Sequence, residues 1–248
     1  MSAANRSPDS DTDEMSLTKS SQYQLNVRRS ATASLADFEY LATSGLISFV
    51  QQLLSGEFDQ LLCLGAPGTG KSHLCYAVAA EARHQGLSSC VLQLEASQDL
   101  NLTNDTSMFD LVVLDDIDQI FNSVAEKALF DFINRAKSLG QRLLMSSGDP
   151  GFNCEIDDLR SRLKQGAICH LPKLQSTEDK LAFIQQTLKL RHLNFSNRLC
   201  QLIARNGPET SGALNQLIIE IELLLAGKPF KKLSSAQLSE IGTLFEQF

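Results

Sequence analysis

The chain has 248 residues, 43% of them hydrophobic, with a formal net charge of −7 at pH 7 and six cysteines. That length allows one well-buried core and a smaller second one, while the acidic balance excludes a protein that coats nucleic acid through its own field, since counterion release needs clustered Lys and Arg. Cys63, Cys75, Cys90, Cys154, Cys169 and Cys200 form no CxxC pair and sit mostly inside apolar runs, which excludes a disulfide framework and suits reduced thiols in a cytoplasmic protein.

Residues Met1 to about Ser20 are polar with scattered acids and leave nothing to bury, so a disordered N-terminal tail is expected, reaching to about residue 30. It contains no apolar stretch of the kind a secretory signal needs, and no run of the chain is apolar for the length of a membrane span. From Leu46 to Leu54 the apolar residues recur at helical spacing and stop at Gly56, predicting a first helix.

The apolar run Leu61-Leu62-Cys63-Leu64 then leads into Gly65-Ala66-Pro67-Gly68-Thr69-Gly70-Lys71-Ser72, followed by a helix-compatible stretch from His73. A GxxxxGKS run between a strand and a helix is a phosphate-binding P-loop: its glycines let successive N–H groups converge on phosphate oxygens, backed by the positive end of the helix. Gly65, Pro67, Gly68, Thr69, Gly70, Lys71 and Ser72 are the candidate nucleotide contacts. Lys71 would reach the β- and γ-phosphates, and Ser72 would place its hydroxyl on a Mg²⁺ that bridges them.

Four further short apolar bursts follow, Cys90 to Leu94, Leu111 to Leu114, Arg142 to Met145 and Ala167 to Leu171, with helical segments over Ser72 to Gln85 and Val124 to Ser138. Strands this apolar, alternating with helices, predict an α/β fold with a buried parallel sheet sandwiched by helices. The third strand ends in Asp115-Asp116. Asp115 would hold the Mg²⁺ through water, and Asp116 would orient the attacking water. That last role is more often filled by the longer Glu, so slow intrinsic hydrolysis is expected.

Met145-Ser146-Ser147-Gly148-Asp149 brings polar side chains to the next strand end, and Leu159-Arg160-Ser161-Arg162-Leu163 precedes the last strand. An arginine on such a segment can act on a neighbour's γ-phosphate; from spacing alone, a solvated arginine pair is the favoured reading. After Pro172 only helix-period runs remain: Glu178 to Leu190, Ser196 to Asn206, Ser211 to Leu225 and Ser235 to Phe245. The expected division is a tail over 1–30, a nucleotide-binding core over 31–173 and a helical lid over 174–248.

These boxes, with Asp158 to Leu163, Gly166 to Leu171, Ser176 to Leu181, Ser147 to Pro150 and Gly212-Ala213-Leu214-Asn215, resemble the DnaA-related AAA+ ATPases from about Leu35 onward. The likeness is greatest to the shorter Hda-type members, the regulatory inactivators of the replication initiator DnaA. The initiator carries a further DNA-reading domain after the lid, and this sequence ends at Phe248 where the lid is just complete. The resemblance implies a P-loop AAA+ core with a C-terminal helical lid and bound ATP or ADP with Mg²⁺. It implies Arg162 as an arginine finger acting in trans and Asp149 as the sensor-one residue. The expected function is negative regulation of replication initiation, by stimulating hydrolysis of initiator-bound ATP without sequence-specific DNA contact by this chain.

Two positions depart from the family pattern. Pro208 stands where the lid arginine belongs, with Arg205, placed in a loop, as the nearest substitute. Hda-type proteins also carry a peptide for the DNA polymerase sliding clamp near the N-terminus; Gln24-Leu25 could begin it, but Arg28 and Arg29 follow where apolar anchors belong. The other reading left open is a helicase-loading or remodelling ATPase that works through its own turnover, as a homo-oligomer.

Overall fold

Every residue of the strand Gln60–Leu64 (β1) is buried, because this segment lies inside a sheet covered on both faces. The computed structural model describes residues 33–94, 106–225, 234–246 and 248; the expected tail, with Gln24 and Leu25, lies outside them. The strands Ser89–Gln93 (β2), Leu111–Asp115 (β3), Arg142–Ser147 (β4) and Ala167–His170 (β5) complete a five-stranded sheet in the order β2-β3-β4-β1-β5. All four pairings are parallel, with Leu62 opposite Met145 and Ile168, and Val113 opposite Leu144.

Alternation along the strands divides the sheet into two faces. Leu61, Cys63, Leu111, Val113 and Leu144 pack against helices Leu46–Ser55 (α1) and Lys71–His84 (α2), through Val50, Leu53, Leu74 and Val78. Leu62, Leu64, Val112, Leu114 and Met145 face the other way, onto Leu129, Phe132 and Ile133 of helix Ala125–Ser138 (α3) and Leu159 and Leu163 of helix Asp157–Leu163 (α4). Each fully buried Leu or Ile contributes about 1.5–3 kcal/mol, so both faces are strongly specified. The predicted strands all form, and the α/β class with a helical C-terminal portion is the observed one.

Helices Thr177–Leu190 (α5), Asn197–Asn206 (α6), Ser211–Leu224 (α7) and Ser235–Phe245 (α8) carry a third cluster, centred on Ile184, Ile203, Leu217, Ile218, Ile221 and Ile241. Three elements have no counterpart in the pattern reading: helix α4, a 3₁₀ turn over Ile117–Ile120, and a 3₁₀ segment over Leu35–Ser44, kinked at Leu41 and started by a capping box between Ser34 and Asp37. In the last of these, Phe38 joins the core, and Tyr40 meets Phe183 of α5 edge to face at 5.0 Å. Among the described residues, no helix is long and apolar enough to cross a membrane.

Candidate nucleotide-binding site

In an open parallel sheet, ligands bind beyond the carboxyl ends of the strands, where the order reverses. Here β1 lies between β4 and β5, and the P-loop leaves its C-terminal end. Gly65 starts the loop by donating to the Ser147 carbonyl at 3.2 Å, and Thr69, buried, closes it by donating its hydroxyl to the Ala66 carbonyl at 2.9 Å. Pro67 and Gly68 form the exposed crest. Gly68 has a left-handed φ of 79°, which only glycine adopts without strain.

Lys71 opens α2 and is 7% exposed, yet its ammonium is loosely held, 3.5 Å from the Ala66 carbonyl and 4.0 Å from Asp116 Oδ1. The first N–H groups of α2, from Lys71 and Ser72 onward, have no intrahelical acceptor and leave Gly70 toward the loop. A buried cation and free N–H groups around a glycine-rich loop form an anion cradle.

Asp115, 1% exposed, ends β3 beside this cradle. Ser146 Oγ donates to its Oδ1 at 2.5 Å, and the Cys75 thiol approaches the same oxygen at 3.5 Å. Burial, and then the Asp115 carboxylate, push the Cys75 thiol well up, so it stays protonated as a donor. Ser146 also accepts the Asp116 N–H at 2.8 Å, so one hydroxyl ties the two acids together. Asp116 itself is left-handed, with φ 57° and ψ 51°, a conformation Asp tolerates better than most residues. Burial and the Asp115 charge raise its pKa above the usual carboxylate range, while Lys71 pulls it back.

Asp149, expected to sense the γ-phosphate, directs its carboxylate into the following loop, accepting from Gly151 N at 2.8 Å and Asn153 N at 2.7 Å. The two arginines differ sharply. Arg160 is tied by Nε to the Phe152 carbonyl at 3.1 Å, by one terminal nitrogen to the Cys154 carbonyl at 2.5 Å, and by the other to Asp157 at 2.6 Å. Arg162, half-buried, makes a side-chain bond to Gln165 at 2.9 Å, and no other partner for its guanidinium occurs among the described residues.

The helical portion sits directly on the loop crest. The N–H of Gly212, in the first turn of α7, donates to the Gly68 carbonyl at 2.9 Å; Ser211 Oγ reaches the same oxygen at 3.4 Å. Pro208 lies between α6 and α7. Arg205 corrects the loop expectation: it belongs to the last turn of α6 and is exposed. From the other side, Asp37 of the 3₁₀ segment binds His73, the residue after Ser72, at 2.6 Å.

Pattern reading missed Ser211 and His73 as site neighbours. Ser146 belongs to the polar strand-end run that the sequence singled out, and it does lie at the site, on Asp115. The residues present fit a nucleoside polyphosphate with its Mg²⁺: the cradle is cationic and glycine-lined, and Ser72 and Asp115 bring a hydroxyl and a carboxylate to its edge.

Residues 61–151 match the family described as ATPase family associated with various cellular activities (AAA). In sequence, the chain is 30% identical over 145 residues to an uncharacterised protein of Haemophilus influenzae, covering 56% of this chain and 62% of that one. It is also 30% identical over 191 residues to the chromosomal replication initiator protein DnaA of a Caulobacter species, covering 65% of this chain and 38% of the initiator. The chain thus spans less than two thirds of the length of either relative. In structure, it is similar to domain III of the Thermotoga maritima replication initiation protein DnaA, with a TM-score of 0.71 at 16% identity, over 86% of this chain and 97% of that one. The P-loop at the reversal point of this sheet lies within the matched segment, so residues 61–151 form an AAA-type ATPase domain. The fold is DnaA-like, and one of the two sequence relatives is a DnaA.

Proposed function

We propose that this chain holds an adenine nucleotide and acts as a negative regulator of replication initiation, stimulating hydrolysis of the ATP bound to a DnaA-type initiator. The observation that carries the reading is the contrast between the arginines: Arg160 is consumed by its own loop, whereas Arg162 keeps its guanidinium available on a helix anchored at both ends. A guanidinium brought to a neighbour's γ-phosphate stabilises transition-state charge and raises hydrolysis by about 10³ to 10⁵. Arg162 and the P-loop lie on different elements, so a head-to-tail contact between two similar folds carries one partner's arginine to the other's nucleotide. The DnaA-like fold makes the initiator the partner of choice.

Within its own site, Lys71, the loop N–H groups, Ser72 and Asp115 would hold ATP or ADP with Mg²⁺, which supplies charge neutralisation between the phosphates. Asp116 orients water poorly compared with the longer Glu, and Pro208 provides no charge to the phosphates. Both features favour a nucleotide-holding part over a cycling motor. Asp149 would act as sensor one through the loop that its carboxylate organises. Gln24 and Leu25 belong to the proposal as the start of a sliding-clamp contact, and the cytoplasm is the expected location.

The test is single-turnover hydrolysis of ATP preloaded on purified initiator, with and without this protein and DNA-loaded clamp. Acceleration that disappears in Arg162→Ala is the expected result. No acceleration, together with turnover by this chain alone above about 1 per second, would replace the reading with a loader or remodelling ATPase.

A further inference from the structure

Glu126 is 2% exposed and takes no part in the nucleotide site. It stands in the first turn of α3, and its carboxylate is surrounded by backbone donors: Asn122 N and Glu155 N on Oε1, with Glu155 N again at 2.9 Å and Ile156 N at 3.0 Å on Oε2. Burying a carboxylate costs several kcal/mol unless its oxygens are satisfied, and here the satisfaction comes from three N–H groups, two of them 29 and 30 residues away. Ile156 is the N-cap residue of α4, the arginine helix.

The same loop is gripped from its other side. Arg160 takes the carbonyls of Phe152 and Cys154, while Glu126 takes the N–H groups of Glu155 and Ile156. At the far end of α4, Gln60 Nε2 donates to the Arg162 carbonyl at 2.9 Å and the Leu163 carbonyl at 3.3 Å. The backbone that carries Arg162 is therefore fixed at both ends by buried polar contacts to α3 and β1, and the Arg162 guanidinium extends from it.

We propose that Glu126 is a positioning residue for Arg162: by binding the N–H groups at the start of α4 it sets where the arginine helix lies relative to α3, and so where the guanidinium is presented. This rests on the reading of Arg162 as the trans-acting arginine. The contribution is geometric, because Glu126 touches neither nucleotide site, and a misplacement of about 1 Å at a reacting centre costs on the order of 10²-fold in rate.

The experiment compares wild type, Glu126→Gln, Arg162→Ala and their double variant for maximal stimulation of initiator-bound ATP hydrolysis, for the concentration giving half of it, and for this chain's own nucleotide affinity. Glu126→Gln keeps the size but turns an amide NH₂ toward backbone donors. It should lower maximal stimulation by about 10- to 100-fold, leave nucleotide affinity within about twofold, and cost nothing further in the Arg162→Ala background, where there is no guanidinium left to misplace. Arg160→Lys, which keeps the charge but loses the fork across two carbonyls, should give the same loss from the other side and decides the matter if Glu126→Gln does not fold. Full stimulation by both variants while Arg162→Ala is inactive would overturn the inference and leave the functional reading standing, as would an undiminished Glu126→Gln effect in the Arg162→Ala background. Absence of stimulation by the wild type would sink the functional reading itself, and this inference with it.

Discussion

Asp37 shows how a single side chain serves two structures. Its carboxylate caps the 3₁₀ segment by accepting the Ser34 N–H at 2.9 Å and binds His73 on the P-loop helix at 2.6 Å. Burial alone would raise its pKa, but the His73 hydrogen bond and the Ser34 N–H outweigh it and hold the carboxyl below its usual value. A depressed carboxylate pKa contributes stability that is present above the unfolded value, about 3.9, and is lost as pH falls through the folded one. Asp37→Asn should therefore flatten the acid limb of stability against pH below about pH 4 and cost no more than about 1 kcal/mol at neutral pH, as the pair is partly solvated. Urea midpoints between pH 3 and pH 7 check this; an unchanged acid limb would mean the pair adds nothing. At Asp116 the shift runs the other way: burial first, and then the Asp115 charge, raise its pKa.

At the scale of elements, the arginine helix depends at its C-terminal end on strands β1 and β5. A side chain on Gly166, between α4 and β5, would place its Cβ 2.5 Å from the Gln60 carbonyl and 2.8 Å from the Gln60 Cβ. Gln60 in turn caps the C-terminal end of α4 with its amide. Gly166→Ala should push β5 off β1, destabilise by about 1–3 kcal/mol and weaken stimulation through the displaced helix while the P-loop still binds nucleotide. Equilibrium unfolding and nucleotide titration of the same variant separate the two effects. A stability change within about 0.5 kcal/mol would show that the close approach relaxes without consequence.

On the scale of the whole molecule, the helical portion rests on the P-loop through backbone and hydroxyl groups, Gly212 N–H and Ser211 Oγ on the Gly68 carbonyl. Pro208, where the family resemblance leads one to expect a lid arginine, brings no charge to the loop. Closure of this kind answers to the shape of the loop and not to the charge of a third phosphate. ATP and ADP should then raise the melting temperature equally at equal saturation, each by the shift that about 2.7 kcal/mol produces at a hundredfold excess over Kd. A markedly larger shift with ATP would show that another group, such as Arg205 after a change in α6, reads the γ-phosphate.

Much of this architecture is written locally. The five strands, the main helices and the P-loop follow from apolar period and from Gly65 to Ser72, because a doubly covered sheet demands continuous apolar runs and a phosphate cradle demands glycine at fixed offsets. The 3₁₀ segment over Leu35–Ser44 escaped, since its burial is set by Phe38 and Tyr40 meeting elements far along the chain, and so did the short helix α4 that carries the two arginines. The sequence by itself determined the class of fold and the existence of an anion cradle with two acids beside it. Only the tertiary structure decided which of two neighbouring arginines is spent on its own loop, and which buried carboxylate, Glu126, holds that loop. Those outcomes depend on hydrogen bonds between segments about thirty residues or more apart, or on how a loop turns back on its own helix, and no local period encodes either.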